Sequence, residues 1–452
     1  MKFIKSLTIA FALIALLIMV GCSDNGSKSA IVRGVVKDSA TSNALSGVTV
    51  SAGTAIATTD VNGKFSLSVA PGSNIKIKAV KTGFIEVFDI CGVNEGGSAE
   101  VDFSLNAIGY EKNLTAMKTT QTSATDARGT AITLPAGSIV DSSNNTVDAA
   151  KIEVTTSMPN DNNFIDNFPG LFIGTQTGQP DKPIESFGFI SVDITDATGN
   201  IKYNLGKDNL GNPKTATIDI PVGIGAADPG TADIDLWSLD ESTGKWKWEA
   251  KANRIPGPPV VYRATVTHFS AYNLDRPIAS PISLTVTVKN GTALVAGASV
   301  VAKKTSAPAW EGRGVTGANG TFKFDTVPAG TNLVKATFGN LGGTVYALDI
   351  VGTDGTATIT LQQTISKEVS FYYMNGLVKT PAVGANIGLW AQGGGDVWGV
   401  TDANGKYTFD LVTGLPSYTL NGNLTVGPTT YTYNHAFNSI ASIPSEVELT
   451  KP

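Results

Sequence analysis

The chain has 452 residues, of which 16% are charged and 49 are glycine, with a formal net charge of −5. At roughly one domain per 150 residues, that length holds about three globular units, each able to bury a core. Low charge beside 42% apolar residues excludes wholesale disorder, the glycines follow no collagen period, and no basic patch points to nucleic acid.

Lys2 and Lys5 precede an uninterrupted apolar run from Leu7 to Val20, and Gly21-Cys22 leads into polar Ser23-Asp24-Asn25-Gly26. The run falls short of the ~20 residues a transmembrane helix needs, so residues 1–21 read as a signal peptide. Met19-Val20-Gly21-Cys22 resembles the lipobox of bacterial lipoproteins, with Met in the place usually held by Leu. The resemblance implies that the Cys22 thiol is acylated and becomes the mature N-terminus, anchoring the chain to a membrane. A soluble export signal with an incidental cysteine is the alternative. Ser23 instead of Asp after the cysteine favours the outer membrane, by analogy with enterobacterial sorting. One acyl chain alone anchors marginally, whereas the two or three of such lipoproteins anchor stably. Residues 22–30 form a flexible tether, in which Ser23 to Ala30 spans about 16 Å. With Cys22 acylated, Cys91 has no partner for a disulfide. It lies in apolar Val87-Phe88-Asp89-Ile90-Cys91 and reads as a buried small hydrophobe with no cationic neighbour to activate it.

Three segments further on share one pattern: Thr59-Asp60-Val61-Asn62-Gly63-Lys64-Phe65-Ser66-Leu67, Thr316-Gly317-Ala318-Asn319-Gly320-Thr321-Phe322-Lys323-Phe324, and Thr401-Asp402-Ala403-Asn404-Gly405-Lys406-Tyr407-Thr408-Phe409. Each predicts a strand, an Asn-Gly turn supplying positive φ, and a strand whose alternation buries Phe65 with Leu67, Phe322 with Phe324, or Tyr407 with Phe409. The pattern resembles the carboxypeptidase-regulatory-like domain, a transthyretin-like β-sandwich found in bacterial surface proteins. It covers 31–105, 282–363 and 366–450. The resemblance implies a non-catalytic spacer, stabiliser or binding module, and some classifications group this sandwich with carbohydrate-binding-like folds.

Residues 106–276 form a larger β block. Ile190, Val192 and Ile194 alternate with polar residues, as do Ile218, Ile220 and Val222, and Val260, Tyr262, Ala264 and Val266 give a third apolar face. Pro277-Ile278-Ala279-Ser280-Pro281 reads as a linker. Thr130 to Ser138, Ser186-Phe187-Gly188, Leu236 to Asp240 and Thr267 to Asn273 make the block similar to the β-sandwich region of cartilage intermediate layer protein and its bacterial relatives. More remotely, it is similar to the paired sandwiches of ankyrins and netrin receptors. The fold class expected for the whole chain is all-β: tandem transthyretin-like or Ig-like sandwiches with a larger central block.

Ordinary catalytic constellations do not assemble. His268 and His435, the two histidines, fall in different units, which argues against a His/Cys zinc site, and no Gly-x-Ser-x-Gly elbow is present. Gly393-Gly394-Gly395 lacks the Lys-Ser/Thr of a phosphate loop and reads as a hairpin tip. Asp60 with Asn62 and Asp402 with Asn404 imitate the start of a calcium loop without its closing Glu, and the second repeat keeps the turn with Gly317 in place of Asp. No cofactor and no metal is therefore expected, and the chain reads as a non-enzyme.

Two sharper readings stand beside that one. His268-Phe269-Ser270 is similar to the self-cleavage triplet of death-domain proteins that carry ankyrin-type sandwiches. There the resemblance implies attack of the Ser270 hydroxyl on the Phe269 carbonyl, with His268 taking the proton. The alternative is a core histidine, since His268 continues the parity of Val266. Trp310, Trp390 and Trp398 lie near hairpin tips, where exposed rings would stack on sugars or a protein partner; packing between neighbouring sandwiches is the alternative. The expected function is a structural, adhesive or binding lipoprotein of the outer membrane with a glycan or envelope protein as partner. The runners-up are a self-processing protein cut at Phe269-Ser270 and a carbohydrate-binding lipoprotein of a polysaccharide-uptake system.

Overall fold

The computed structural model describes residues 29–451, apart from 162–163, 200, 224, 279–281, 340, 347–353, 392–394 and 414–416. Cys22, the signal-like segment, most of the tether and part of the 277–281 linker lie outside the described residues. The architecture is all-β, a series of sandwiches around a larger central block. No helix among the described residues is long and apolar enough to cross a membrane.

In the N-terminal sandwich, two four-stranded sheets close on a core that includes Val32, Phe65, Leu67, Ile77 and Phe103. Strand Ala30–Asp38 pairs antiparallel with Lys64–Val69, so that Val32 faces Leu67 in the ladder. The third sandwich repeats this arrangement: Ile282–Asn290 pairs antiparallel with Thr321–Val327 and parallel with the start of Gly355–Asn375. That last strand is 21 residues long. It continues into the C-terminal sandwich, where it pairs with Lys406–Val412 and Glu446–Glu448. Two sandwiches thus share one uninterrupted strand, and residues 364–365 lie inside it.

The three repeated segments are built on one polar device. Thr59, Thr316 and Thr401 are all buried. The Thr59 hydroxyl accepts from the Val48 amide at 2.9 Å and donates to the Leu45 carbonyl at 2.6 Å. The Thr316 hydroxyl does the same with Ala298 and Val295, at 2.9 and 2.7 Å, and the Thr401 hydroxyl with Ala385 and Ala382. In each case a Gly with positive φ precedes the amide that donates: Gly47, Gly297 and Gly384. The hydroxyl satisfies both a buried donor and a buried acceptor where one sheet crosses to the other. At the hairpin tip the glycine is needed for room as well as for φ: a Cβ on Gly63 would meet the Val36 carbonyl oxygen at 2.3 Å, and one on Gly405 the Phe371 carbonyl oxygen at 2.5 Å.

The central block is built on one long, almost wholly antiparallel sheet that curls until its edge strands, Tyr110–Leu114 and Thr122–Thr125, touch. Ile190, Val192, Ile194, Ile218, Ile220, Tyr262, Ala264 and Val266 fill its core, as their alternation predicts. Two of its strands serve a second core. Register shifts between Ser186 and Phe189, and between Leu236 and Trp237, re-aim the side chains beyond them. Phe189 and Trp237 thereby leave the block's own interior and join Phe164, Phe168, Phe172 and Trp246. That aromatic group is continuous with the core of the third sandwich, including Leu284, Val300 and Trp310.

Replacing Thr316 by Val keeps the shape but leaves the Ala298 amide and the Val295 carbonyl buried and unpaired. The expected loss is about 2–3 kcal/mol of unfolding free energy in urea, with Thr316→Ser losing much less. A Thr316→Val protein within about 0.5 kcal/mol of the parent contradicts the assignment.

Candidate functional site: a charged seam between three sandwiches

A cluster of described residues with altered acid–base behaviour gathers where the N-terminal sandwich, the central block and the third sandwich meet, while Tyr272 and Asp275, both pushed up by burial, lie elsewhere in the central block. Strand Trp310–Val315 of the third sandwich lies against strand Val87–Val93 of the first. Alternation along it puts Glu311 and Arg313 on the same side, facing that neighbour. One Arg313 nitrogen, Nη2, is 2.7 Å from Asp89 Oδ2, and Nε is 2.7 Å from Glu311 Oε1. The third, Nη1, donates to the Glu100 carbonyl at 2.8 Å. Lys303 Nζ sits 2.7 Å from Asp166 Oδ1 of the central block and 3.0 Å from Glu311 Oε2. Lys335 Nζ approaches Glu100 Oε1 at 3.3 Å. Further bonds flank the ion pairs: Arg33 Nη1 donates to the Gly339 carbonyl at 2.9 Å, and Asn167 Nδ2 donates to Ser39 Oγ at 3.0 Å.

The seam's electrostatics follow from burial acting against pairing. Asp89, Glu311, Lys303 and Arg313 are each no more than 14% exposed at the side chain. Burial pushes the Asp89 carboxyl up to about 6 against the pull of Arg313, and Glu311 adds to the rise. Burial and the adjacent Glu100 likewise raise Asp102. Lys335 holds Glu100 below the usual carboxylate range. Burial works to raise Asp166, but Lys303 outweighs it and the carboxyl is held low. Lys303 and Arg313 remain firmly charged: burial opposes the charge, and the carboxylates around them more than offset it. The space left at the seam is about 10 Å³, room for no more than a water molecule.

A second seam joins the central block to the third sandwich. Ser186 and Ala309 exchange backbone hydrogen bonds at 3.0 and 3.2 Å. Beside them Lys304 Nζ donates to Glu185 Oε1 at 2.5 Å, both side chains being buried. Sequence reasoning passed over all of these charged residues, because nothing in their local spacing announces partners more than 100 positions away.

The residues singled out from sequence are scattered. Trp310 follows the packing alternative: it is 3% exposed, set edge-on against Phe324 and within the core that the third sandwich shares with the aromatic group of the central block. Trp390 is 43% exposed on strand Asn386–Ala391, as its parity suggested. The Trp398 side chain lies outside the described residues, and so does most of the glycine tip beside it. Cys91 is buried, and burial pushes its thiol up to about 12. The expectation that it has no cationic neighbour is corrected, since Arg313 lies close enough to oppose that rise. Among the described residues no group of three or more His, Cys, Asp or Glu is placed to hold a metal ion. In the Asp-x-Asn-Gly turns the Asp60 carboxylate accepts from the amides of Asn62 and Lys64, and the Asp402 carboxylate from those of Asn404 and Lys406. Asp126, Asp141 and Asp208 brace turns of the central block in the same way.

His268 does not continue into the core as its parity predicts. Its strand ends at Val266, and the half-buried ring sits in a bend with Nε2 3.3 Å from Glu249 Oε1. The Tyr272 hydroxyl donates to the His268 carbonyl, and the Phe269 amide donates to Asn204 Oδ1 at 3.0 Å. Ser270 Oγ donates to the Leu239 carbonyl at 3.3 Å. The hydroxyl and the imidazole that self-cleavage would use are thus both held by other partners, and Phe269 packs against the block's core.

No protein-family model and no curated protein matches the sequence. Among solved structures, the chain is similar to GBS52, the minor pilin of Streptococcus agalactiae, at 13% identity over 38% of this chain and 96% of that one, with a TM-score of 0.20. It is also similar to a streptococcal ancillary pilin, at 11% identity over 49% of this chain and 94% of that one, TM-score 0.17. A third likeness is to BcpA, the major pilin subunit of Bacillus cereus, at 12% identity over 94% and 99% of the two chains, TM-score 0.14.

Arg313→Ala strands Asp89 in the seam and leaves Glu311 with Lys303 as its one remaining cation there. It is expected to lower unfolding free energy by about 3–5 kcal/mol, whereas Lys379→Ala, at the exposed Lys379–Glu446 pair, changes it by less than about 1 kcal/mol. Equal effects in equilibrium denaturation contradict this.

The pH dependence has two limbs. Asp89, raised in the folded state, gives a stabilisation that is complete below its unfolded value of 3.8 and is lost as pH rises through about 6. Glu100 and Asp166, held low, stabilise above their unfolded values and lose that contribution as pH falls. The melting temperature is expected to rise from about pH 7 to about pH 5 and to drop below about pH 4, and Asp89→Asn is expected to reduce the rise, with Asp102 and Asp275, also raised by burial, supplying the remainder. A rise of equal size in the Asn variant assigns it elsewhere.

Proposed function

We propose that the chain is a non-catalytic cell-envelope lipoprotein, acylated at Cys22 and held at the outer membrane, whose sandwiches serve as a structural or adhesive element. The observation that carries this reading is the charged seam. Perturbed titratable groups ordinarily mark either chemistry or an ion-pair network. Here they are spent on one another across three sandwiches, with about 10 Å³ left between them, so nothing the size of a substrate reaches them. The Asp residues of the turns are engaged by backbone amides, which makes them turn braces. What the seam supplies is rigidity. It ties the first sandwich, next to the tether, to the third, and the shared strand Gly355–Asn375 carries the connection on to the fourth. A body built that way resists pulling between a lipid anchor and a distant contact. The lipobox-like Met19-Val20-Gly21-Cys22 supports the anchor.

Cys22→Ser is expected to move the protein from the membrane fraction to the soluble fraction of the producing bacterium and to abolish incorporation of labelled palmitate. Membrane association unchanged in the Ser variant, with no label in the parent, defeats the lipoprotein reading.

A further inference from the structure

A groove of about 220 Å³ opens on the central block, away from the charged seam, and its lining is unlike that of the seam. The half-buried indole of Trp248 lines it, with the buried Trp237 beside it as part of the aromatic core. Both indole N–H groups already have acceptors: Trp237 Nε1 donates to the Asp275 carbonyl at 3.4 Å, and Trp248 Nε1 donates to Asp235 Oδ1 at 2.9 Å. What remains for a ligand is ring carbon of Trp248, since Gly174 packs directly on the Trp237 ring, where a Cβ would come within 2.7 Å.

The rim is polar and unspent. Gln176, Gln179 and Lys182 are exposed, and none of their side chains has a hydrogen bond or ion pair among the described residues. Lys251, on the opposite wall, is different: its ammonium is already 2.9 Å from Asp235 and 3.3 Å from Asp233. Lys182 is thus a cation left over for something that enters.

A half-buried indole beside free carboxamides and one free ammonium suits a ligand with an apolar face, hydroxyls around its edge and a negative charge. A pyranose ring carrying a carboxylate has these features together: its C–H face stacks on indole, its hydroxyls bond the amides, and its carboxylate pairs with Lys182. The groove is smaller than the roughly 300–1,000 Å³ that takes a drug-sized molecule, so it accommodates one sugar ring and not a buried chain. We infer that this groove is a binding site for an acidic sugar residue, a uronate, at a chain end or a branch of an envelope or extracellular glycan. The inference goes beyond the structural role proposed above and is independent of the lipid anchor: the Cys22→Ser fractionation and the binding test below can fail separately.

The test uses the full chain in detergent, titrated with tetragalacturonate and, as a neutral control, maltotetraose, with tryptophan fluorescence and calorimetry as readouts. The expected result is saturable binding of the acidic tetrasaccharide that perturbs tryptophan emission, with the neutral one at least about tenfold weaker. Lys182→Gln, on the exposed rim where the fold does not depend on it, should remove that preference. Gln179→Ala should weaken binding about threefold, and Trp248→Ala should weaken it by about tenfold or more. Circular dichroism and the melting temperature of each variant separate lost binding from lost fold. Absence of binding by both sugars overturns the site. So does binding that survives all three substitutions unchanged, and equal affinity for the two sugars overturns the assignment of an acidic ligand.

Discussion

Arg313 is buried with three of its nitrogens committed: one to Asp89, one beside Glu311 and one to the Glu100 carbonyl. Taking these charges out of water costs several kcal/mol per ion, and the pairs recover it only while the geometry holds. The seam is therefore sensitive to orientation in a way an apolar contact is not. A sandwich rotated by a few degrees keeps most of its buried apolar area, but it leaves a carboxylate or guanidinium without its partner. The ions select one arrangement of the N-terminal, central and third sandwiches out of the many that apolar patches alone would tolerate. Lys303 extends the constraint to the central block through Asp166.

Chain order and spatial order differ because of this. The first sandwich does not simply precede the others along a string; it lies against the third, more than 200 residues away, as the Arg33 to Gly339 and Arg313 to Glu100 bonds record. The central block occupies the chain between them and packs on both: Asn167 reaches Ser39 of the first sandwich, and Lys304 of the third reaches Glu185 of the block. The bulges at Ser186/Phe189 and Leu236/Trp237 convert a self-contained sheet into one that donates an aromatic group to its neighbour. The fourth sandwich is joined differently, by the strand Gly355–Asn375, whose backbone ladder leaves little freedom for a hinge.

How far the sequence was legible follows from how local each signal is. The Asn-Gly hairpins, the burial of Leu67 and Phe409, and the alternation of Ile190, Val192 and Ile194 rest on φ and on a period of two, both visible in a short window. The Thr residues that open the repeated segments were in view, but their partners Leu45, Val295 and Ala382 sit at three different separations, so the clamp became apparent only in space. Whether Trp310 stacks on a ligand or packs between sandwiches is decided by what covers it in space, here Phe324 and the shared core, which its position near a hairpin tip does not announce. His268 failed through the end of a strand two residues earlier, which parity alone does not announce. The groove beside Trp248 was invisible for a related reason: the free side chains that complete its rim come from a loop some 60 residues upstream of Trp237.

If the seam governs the assembly, the first sandwich and the third must open together. Native-state hydrogen exchange, followed by mass spectrometry at increasing sub-denaturing urea, measures this strand by strand. The amides of Val87–Val93 and of Ser299–Lys304 are expected to show one shared opening free energy and one urea dependence. Exchange of Val87–Val93 at a distinctly lower opening free energy, with Ser299–Lys304 still protected, would show that the first sandwich unfolds alone and that the seam does not hold the structure together.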